Sequence, residues 1–353
     1  MYKYPMALTQ QFKHCGNPFR IDTYKGCDYG CKYCFAQNRG GNFINQFQIA
    51  DFEIIKNNFK KAFDEPHKNF KNITIEMLRH KVPLHLGGLS DPFQTREKEF
   101  KNTFKLIQLT KEYNYPMIIS TKTDNIPLEY FEYLDPNIHA FQISLISLNE
   151  EYIRKIEANT PTPQSRINLI LELKKRGFWV GVRIQPLVDL KEAELLVEKI
   201  SGEIDYITVE HIKIGNDNSN KQQLFKMFNL NPKDFISCGR EYEFKTEIKL
   251  KNIIRLKKIS KCPIGCGDND LHELSDSNNC CGIDTINENF NGWIKYNSMY
   301  INQTGDRTKW CPISNCSSCV NNEGRVKGWG FKEYVNDYIN NPPKIGKCNL
   351  KLK

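Results

Sequence analysis

From residue 82 to residue 211 short apolar runs alternate with amphipathic ones, and this alternation narrows the fold more than any other feature. Residues 82–86 (Val-Pro-Leu-His-Leu) read as a strand that ends at Gly87-Gly88. Residues 116–121, 140–146, 178–185 and 206–211 read as four more buried strands. Between them, residues 97–113 carry Phe100, Phe104, Ile107 and Leu109 at near-helical spacing, and residues 190–201 form a further amphipathic run. A helix reaching Lys175 starts at Thr160-Pro161-Thr162-Pro163: Thr and Pro suit the first turn, Ile167, Ile170 and Leu171 supply the buried stripe, and Gly177 stops it. Strand and helix alternating on this spacing form parallel βα units. About six such units fit before Lys261, fewer than the eight of a closed barrel, so the expected fold is α/β, a partial (β/α)6 TIM-type barrel.

At 353 residues the chain has room for one large or two ordinary domains. No stretch approaches the ~20 apolar residues of a membrane span. The start, Met1-Tyr2-Lys3-Tyr4-Pro5-Met6, lacks the apolar run of a signal peptide. A cytoplasmic location with no membrane partner is therefore expected. That compartment keeps thiols reduced, which makes the thirteen cysteines candidates for metal ligation rather than disulfides. Composition changes after Ser260. The last 93 residues hold eight of the cysteines, with many Asn and Gly and little helical periodicity before residues 331–339. The division expected is a core of residues 1–260 and a small cysteine-rich metal-binding extension of residues 261–353, whose folding draws on metal ligation.

The formal charge is +9, and much of it lies where Lys245, Lys249, Lys251, Arg255, Lys257, Lys258 and Lys261 face only Glu247. Such a run is either a solvated helix face or a phosphate-contacting surface for nucleic acid.

Cys27, Cys31 and Cys34 stand in a C-x3-C-x2-C pattern. Three thiolates on so short a loop can hold three corners of one cubane [4Fe–4S] cluster and leave the fourth iron open to a substrate or cofactor. Structural zinc more often uses C-x2-C pairs that close a four-ligand shell. With Tyr33 just before the last cysteine, the motif resembles the radical SAM superfamily. Gly87-Gly88-Leu89-Ser90-Asp91-Pro92, Ser120-Thr121-Lys122-Thr123-Asp124, Gln142-Ile143-Ser144-Leu145 and Glu157-Ala158-Asn159-Thr160-Pro161 with Arg166 are similar, in order and spacing, to its spore photoproduct lyase-like branch.

The resemblance implies a [4Fe–4S] cluster that binds S-adenosylmethionine (SAM), cleaves it reductively to a 5′-deoxyadenosyl radical and so abstracts hydrogen from a substrate. It also implies a one-electron donor such as ferredoxin or flavodoxin. Carried over position by position, Tyr33, Gly87, Gly88, Ser90, Asp91, Lys122 and Ser144 would surround SAM, with Lys122 facing its carboxylate or ribose and Ser144 its ribose. Arg183, a charge within an otherwise apolar strand, calls for an anionic partner: the SAM carboxylate, a substrate phosphate, or a carboxylate such as Glu157. Glu210 and His211 end a later strand, where they either reach substrate or lie at the surface. Spore photoproduct lyases carry a cysteine near this Ser-Asp pair; Gly88 stands there in this chain, so the resemblance supports the branch and leaves the substrate open.

The remaining cysteines, Cys262, Cys266, Cys280, Cys281, Cys311, Cys316, Cys319 and Cys348, suggest an auxiliary [4Fe–4S] cluster or a zinc site, and sequence does not assign them to particular metals. Their spacings depart from the usual SPASM pattern, and one of the adjacent pair Cys280 and Cys281 is expected to be spare. Cys15 and Cys238 read as packed thiols. The function expected is a radical SAM enzyme acting on a nucleic acid base, with a peptide or small-molecule substrate as the alternative. From another class, a non-enzymatic zinc-binding nucleic-acid-binding protein would account for the C-terminal cysteines and the basic run but not for the open three-cysteine loop.

Overall fold

The computed structural model describes residues 1–8, 17–38, 47–68, 70, 72–215, 218–238, 241–268 and 270–295. In chain order the strands are β1 (Met6–Leu8), β2 (Phe19–Ile21), β3 (Tyr24–Lys25), β4 (Gln48–Ile49), β5 (Leu84–Leu86), β6 (Met117–Thr121), β7 (His139–Ser144), β8 (Val180–Leu187), β9 (Tyr206–His211), β10 (Lys213–Gly215), β11 (Phe235–Cys238), β12 (Glu241–Phe244) and β13 (Ile264–Cys266). The helices are α1 (Phe52–Phe63), α2 (Ile73–Arg79), α3 (Glu97–Phe100), α4 (Asn102–Glu112), α5 (Glu150–Ile156), α6 (Pro163–Lys175), α7 (Leu190–Ile200), α8 (Asn218–Met227) and α9 (Thr246–Ile259).

Eight strands form one sheet in the order β1-β2-β5-β6-β7-β8-β9-β13. The β1–β2 edge is antiparallel, and every pairing from β2 to β13 is parallel. Its two edge strands are not paired to each other, so the sheet is the expected partial barrel. β2 and β13 extend the parallel array beyond the strands legible in the sequence.

One face of this sheet packs on helices. Ile119, Phe141, Ile143, Val182 and Ile207 share a core with Leu106 and Ile107 of α4, Ile167 and Ile170 of α6, and Leu196 of α7. At its N-terminal half the other face is covered by the chain after β13: Ile118, Ala140, Trp179 and Tyr206 pack against Ile283 and Phe290. Thr208 donates to the Cys280 carbonyl at 3.0 Å and Gln142 to the Cys281 carbonyl at 3.2 Å. Gly265 permits this approach, because a Cβ there would lie 2.3 Å from the Cys280 oxygen. The main sheet therefore runs past the composition change at Ser260, and residues 277–290 seal the bottom of the barrel.

Residues 97–113 are two helices rather than one. Lys101 adopts φ 48°, between α3 and α4. The cause is the buried Glu97 carboxylate, which accepts from the amides of Thr103 (3.0 Å) and Phe104 (2.9 Å), and so caps α4. It also accepts from the hydroxyls of Tyr130 (2.6 Å) and Tyr24. Between β9 and α9 the chain builds a small antiparallel sheet, β10-β12-β11, over α8. Its apolar core includes Ile214, Phe225, Phe235 and Phe244 together with Ile153 and Ile156 of α5.

The basic run lies on α9 and its flanks, and three of its charges are spent in ion pairs. Lys249 is buried and pairs with Asp270 at 2.6 Å and Glu243 at 3.2 Å, Arg255 with Glu194 at 2.6 Å, and Lys257 with Asp276 at 2.6 Å. The expected helix at residues 331–339 and Cys15 lie outside the described residues. Replacing Glu97 with Ala is expected to destabilise the protein by about 2–4 kcal/mol, because it orphans buried donors; urea unfolding measures this.

Candidate functional site

The predicted site residues gather where parallel α/β sheets place their ligands, at the C-terminal ends of the strands. Gly87-Gly88 follow β5, Lys122 follows β6, Ser144 ends β7, and the cysteine loop follows β3. Gly26 (φ 85°) and Gly30 (φ 64°) take left-handed backbone that lets this loop turn back on itself.

The loop is fastened on two sides. Towards β5, Gln94 donates to the Gly26 carbonyl at 3.1 Å, and the Asp28 carboxylate accepts from the Thr95 amide at 3.1 Å and from its hydroxyl. Towards the α5–α6 connection, Asn159 donates through its side chain to the Asp28 carbonyl at 2.8 Å and through its amide to Tyr29 at 3.2 Å. The Lys32 amide donates to Ile156 at 2.9 Å, and Cys31 forms an antiparallel bridge with Glu157.

Burial, followed by the Asp91 charge, pushes Cys27 up to about 12, with Cys34 adding to the effect. Burial likewise raises Cys31, opposed by Lys122 and reinforced by Glu157, Cys34 and Cys27. In the metal-free protein these groups are therefore protonated thiols, and metal binding would release their protons. Among the described residues no three His, Cys, Asp or Glu side chains converge tightly enough to hold a single metal ion. In a cubane cluster each thiolate binds a different iron, so its ligands need not converge on one point.

Glu157 lies behind the loop with its carboxylate fully buried. Its Oε2 accepts from Arg166 at 2.7 Å and from Thr160 at 3.2 Å, while Oε1 accepts from the Tyr33 hydroxyl and lies 3.3 Å from Lys122 Nζ. Burial alone would raise this carboxyl, but Lys122 and Arg166 outweigh it and hold it at about 2. Lys122 Nζ also sits 5.7 Å from the centre of the Tyr33 ring. Arg166 donates to the Ser144 carbonyl at 3.0 Å, which joins the end of β7 to the same cluster.

Ser90 and Asp91 have their polar atoms engaged in the wall of the site. Ser90 donates to the Tyr24 carbonyl at 2.7 Å. Asp91 accepts from the Thr121 hydroxyl (2.8 Å) and from the amides of Lys122 (2.7 Å) and Phe93 (2.9 Å). Gly87 is required by the fold itself: it has φ 88°, and a Cβ there would lie 2.2 Å from the Ser120 carbonyl. At Gly88 a Cβ would meet the Arg20 side chain at 3.0 Å.

A polar row crosses the inner face above the apolar floor. His85 meets Ser120 at 2.8 Å, Ser120 donates to Gln142 at 3.2 Å, and Arg183 donates to Gln142 at 3.0 Å and to Gln185. Gln185 donates in turn to Glu210, which pairs with Lys213 at 2.5 Å. Arg183 thus bonds amide oxygens, and the carboxylate named as its candidate partner, Glu157, belongs to Arg166 and Lys122. Arg166 was legible as part of the motif that begins at Glu157, but its pairing with that carboxylate, like the bonds of Gln142 and His85, required the tertiary structure.

Cys262 lies two residues before β13 and Cys266 ends it. Cys266 is buried beside Asp268, with its sulfur 3.8 Å from a carboxylate oxygen. Cys280 and Cys281 have their sulfurs 3.7 Å apart in the segment that seals the barrel. Cys311, Cys316, Cys319 and Cys348 lie outside the described residues. His211, at the end of β9, pairs with Asp268 at 2.6 Å instead of standing open.

Residues 21–198 match the radical SAM superfamily, about half of the chain. The chain belongs to the radical SAM superfamily. Radical SAM enzymes use a [4Fe–4S] cluster and SAM and need a one-electron donor. An uncharacterized protein of Mycobacterium tuberculosis is 25% identical over 212 residues, 53% of this chain and 55% of the relative. Another, of Methanocaldococcus jannaschii, is 22% identical over 251 residues, 69% of this chain and 89% of the relative. The chain spans about half the length of the mycobacterial relatives it matches. Among solved structures, a spore photoproduct lyase variant with bound AdoMet and dinucleoside spore photoproduct has a TM-score of 0.51 at 14% identity, covering 69% of this chain and 72% of that one. A spore photoproduct lyase complexed with dinucleoside spore photoproduct gives 0.52 at 14% identity, with 69% and 74% covered. These likenesses are of the radical SAM fold. Among the described residues no helix is long and apolar enough to cross a membrane.

A pH dependence follows from the His211–Asp268 pair. Burial would raise Asp268, but His211, with Lys249 and Lys213 nearby, holds it at about 2. A depressed carboxyl contributes its full stability above the ordinary carboxylate range and loses it as pH falls through the folded value. Urea midpoints of the wild type should therefore fall between about pH 5 and about pH 2, and Asp268→Asn should flatten that part of the profile.

Proposed function

We propose that this chain is a radical SAM enzyme whose cluster is held by Cys27, Cys31 and Cys34. The observation that carries this reading is the cysteine loop, pinned at the C-terminal ends of the parallel strands beside Lys122, Tyr33 and the inner polar row. The donor set suits the group: three thiols on one short loop provide soft ligands for iron. When bound, the cluster and SAM supply the reductive cleavage whose 5′-deoxyadenosyl radical abstracts hydrogen from substrate.

The protein's own work is placement and charge. Lys122 offers a cation to the carboxylate or ribose of SAM, and Ser144 a hydroxyl to its ribose. Gly87 and Gly88 leave backbone accessible, while Ser90 fastens that backbone to β3 and Asp91 fastens it to the end of β6. Arg183, with its amide partners, faces the remaining space of the inner face, where an anionic group of SAM or substrate would be met. The substrate we propose is a nucleobase, single-stranded or flipped out of its stack. The support for this reading is that the lyase of similar fold was solved with a dinucleoside photoproduct. The ion pairs of α9 leave less free positive charge for a phosphate surface than its sequence suggested, so base recognition is assigned to the barrel. We assign ferredoxin or flavodoxin as electron donor and an auxiliary [4Fe–4S] cluster or zinc to the C-terminal cysteines.

Anaerobic reconstitution with iron and sulfide, followed by reduction in the presence of SAM, should yield 5′-deoxyadenosine, and Cys31→Ala should abolish it. Continued SAM cleavage by Cys31→Ala would refute the assignment. Short single-stranded oligonucleotides should stimulate cleavage more than peptides; the reverse result would select a peptide substrate. Replacing Cys311, Cys316 and Cys319 together by Ser should remove one cluster's worth of iron and leave SAM cleavage at the first site. Loss of zinc alone would make the auxiliary site structural.

A further inference from the structure

Taking the three-cysteine loop as the cluster site, we infer that Glu157 is a positioning residue that seats this loop and balances the charge beside the cluster. Three segments of the chain meet at Glu157: the cysteine loop, the end of β6 and α6. Its backbone forms the bridge with Cys31, and its carboxylate takes the hydroxyl of Tyr33, the ammonium of Lys122 at 3.3 Å and the guanidinium of Arg166 at 2.7 Å. Arg166 extends the connection to the Ser144 carbonyl. Tyr33, Lys122 and Ser144, read from the sequence as separate contacts to SAM, are thus held by one buried carboxylate–guanidinium pair.

The charge count gives this arrangement a consequence beyond folding. One carboxylate stands between two cations, both side chains of the Glu157–Arg166 pair are fully buried, and Lys122 is only 15% exposed. Among the described residues, the ion pair of each cation is with Glu157. The two cations and one carboxylate sum to +1; replacing the carboxylate by an amide keeps the shape and raises that sum to +2 beside Cys31 and Tyr33. Local net charge is one of the determinants of a cluster's reduction potential. Added positive charge stabilises the reduced, more negative cluster, so the potential must rise. Removing the lysine charge as well restores the balance.

The test compares the wild type, Glu157→Gln and the double variant Glu157→Gln/Lys122→Gln as full chains. Iron content and the EPR-monitored potential are read after anaerobic reconstitution. Glu157→Gln is expected to favour the reduced cluster about tenfold at fixed potential, a rise of about 59 mV for a one-electron couple, and the double variant to return towards the wild type. An unchanged potential in Glu157→Gln, or one identical in the two variants, overturns the inference. If Glu157→Gln does not fold, Tyr33→Phe removes only the loop's side-chain bond to the carboxylate and should speed chelator removal of iron at least tenfold. An unchanged rate overturns the seating role. Should the wild type take up no iron, the functional reading fails separately. The clamp is then read in the metal-free protein from hydrogen exchange at the Lys32 and Asn159 amides, which Tyr33→Phe should accelerate about tenfold; unchanged exchange overturns it.

Discussion

A parallel sheet cannot leave either face bare, because its strands are apolar on both sides and its crossovers already cover one. In this protein the helices bury the outer face, and the inner face is divided. Its lower half is closed by Ile283 and Phe290 packing on Ile118, Ala140 and Tyr206. Its upper half carries Ser120, Gln142, Arg183 and Gln185, which satisfy one another by hydrogen bonds. The apolar floor and the polar row divide the inner face, and the cysteine loop follows β3 at the C-terminal end of the sheet.

Buried charge follows the same economy. An ionised side chain removed from water must meet a partner of opposite sign or a set of hydrogen bonds. Glu97 meets this demand with two hydroxyls and two amides, Asp91 with a hydroxyl and two amides, and Glu157 with two cations. Each group joins segments distant in sequence: Asp91 and Glu97 lie between β5 and β6, and Glu157 lies between α5 and α6. The polar interior thus serves the fold and the site together: the bonds that satisfy these carboxylates also fix the walls on which the loop rests.

Much of the architecture was legible because the central strands are continuous apolar runs and the helices repeat at their own period. Residues 206–211 were read as a strand with the observed limits, and Thr162 with Pro163 marked the start of α6. The break at Lys101 was not legible, since it arises from a side chain, Glu97, reaching forward to cap a helix it would otherwise have continued. Nor was the small sheet at β10 to β12: its strands are three and four residues long and mix Lys and Glu with aromatics, so neither period emerges. The vicinal cysteines at 280 and 281 show a further limit. Their spacing says nothing of their backbone oxygens, which Gln142 and Thr208 engage inside the barrel.

By itself the sequence determined the chemistry on offer: three thiols in one loop, an aromatic beside them, a lysine after a strand, and a chain patterned for parallel βα units. Those features are local, written in residue type and spacing over a few positions. Only the tertiary structure decided who partners whom. Glu157 went to Arg166 and Lys122 rather than to Arg183, the basic helix turned its charges onto Asp270, Glu194 and Asp276, and the segment after β13 became the floor of the barrel. Pairing of buried charges depends on distance in space, which the order of strands in the sheet sets and the chain order alone does not.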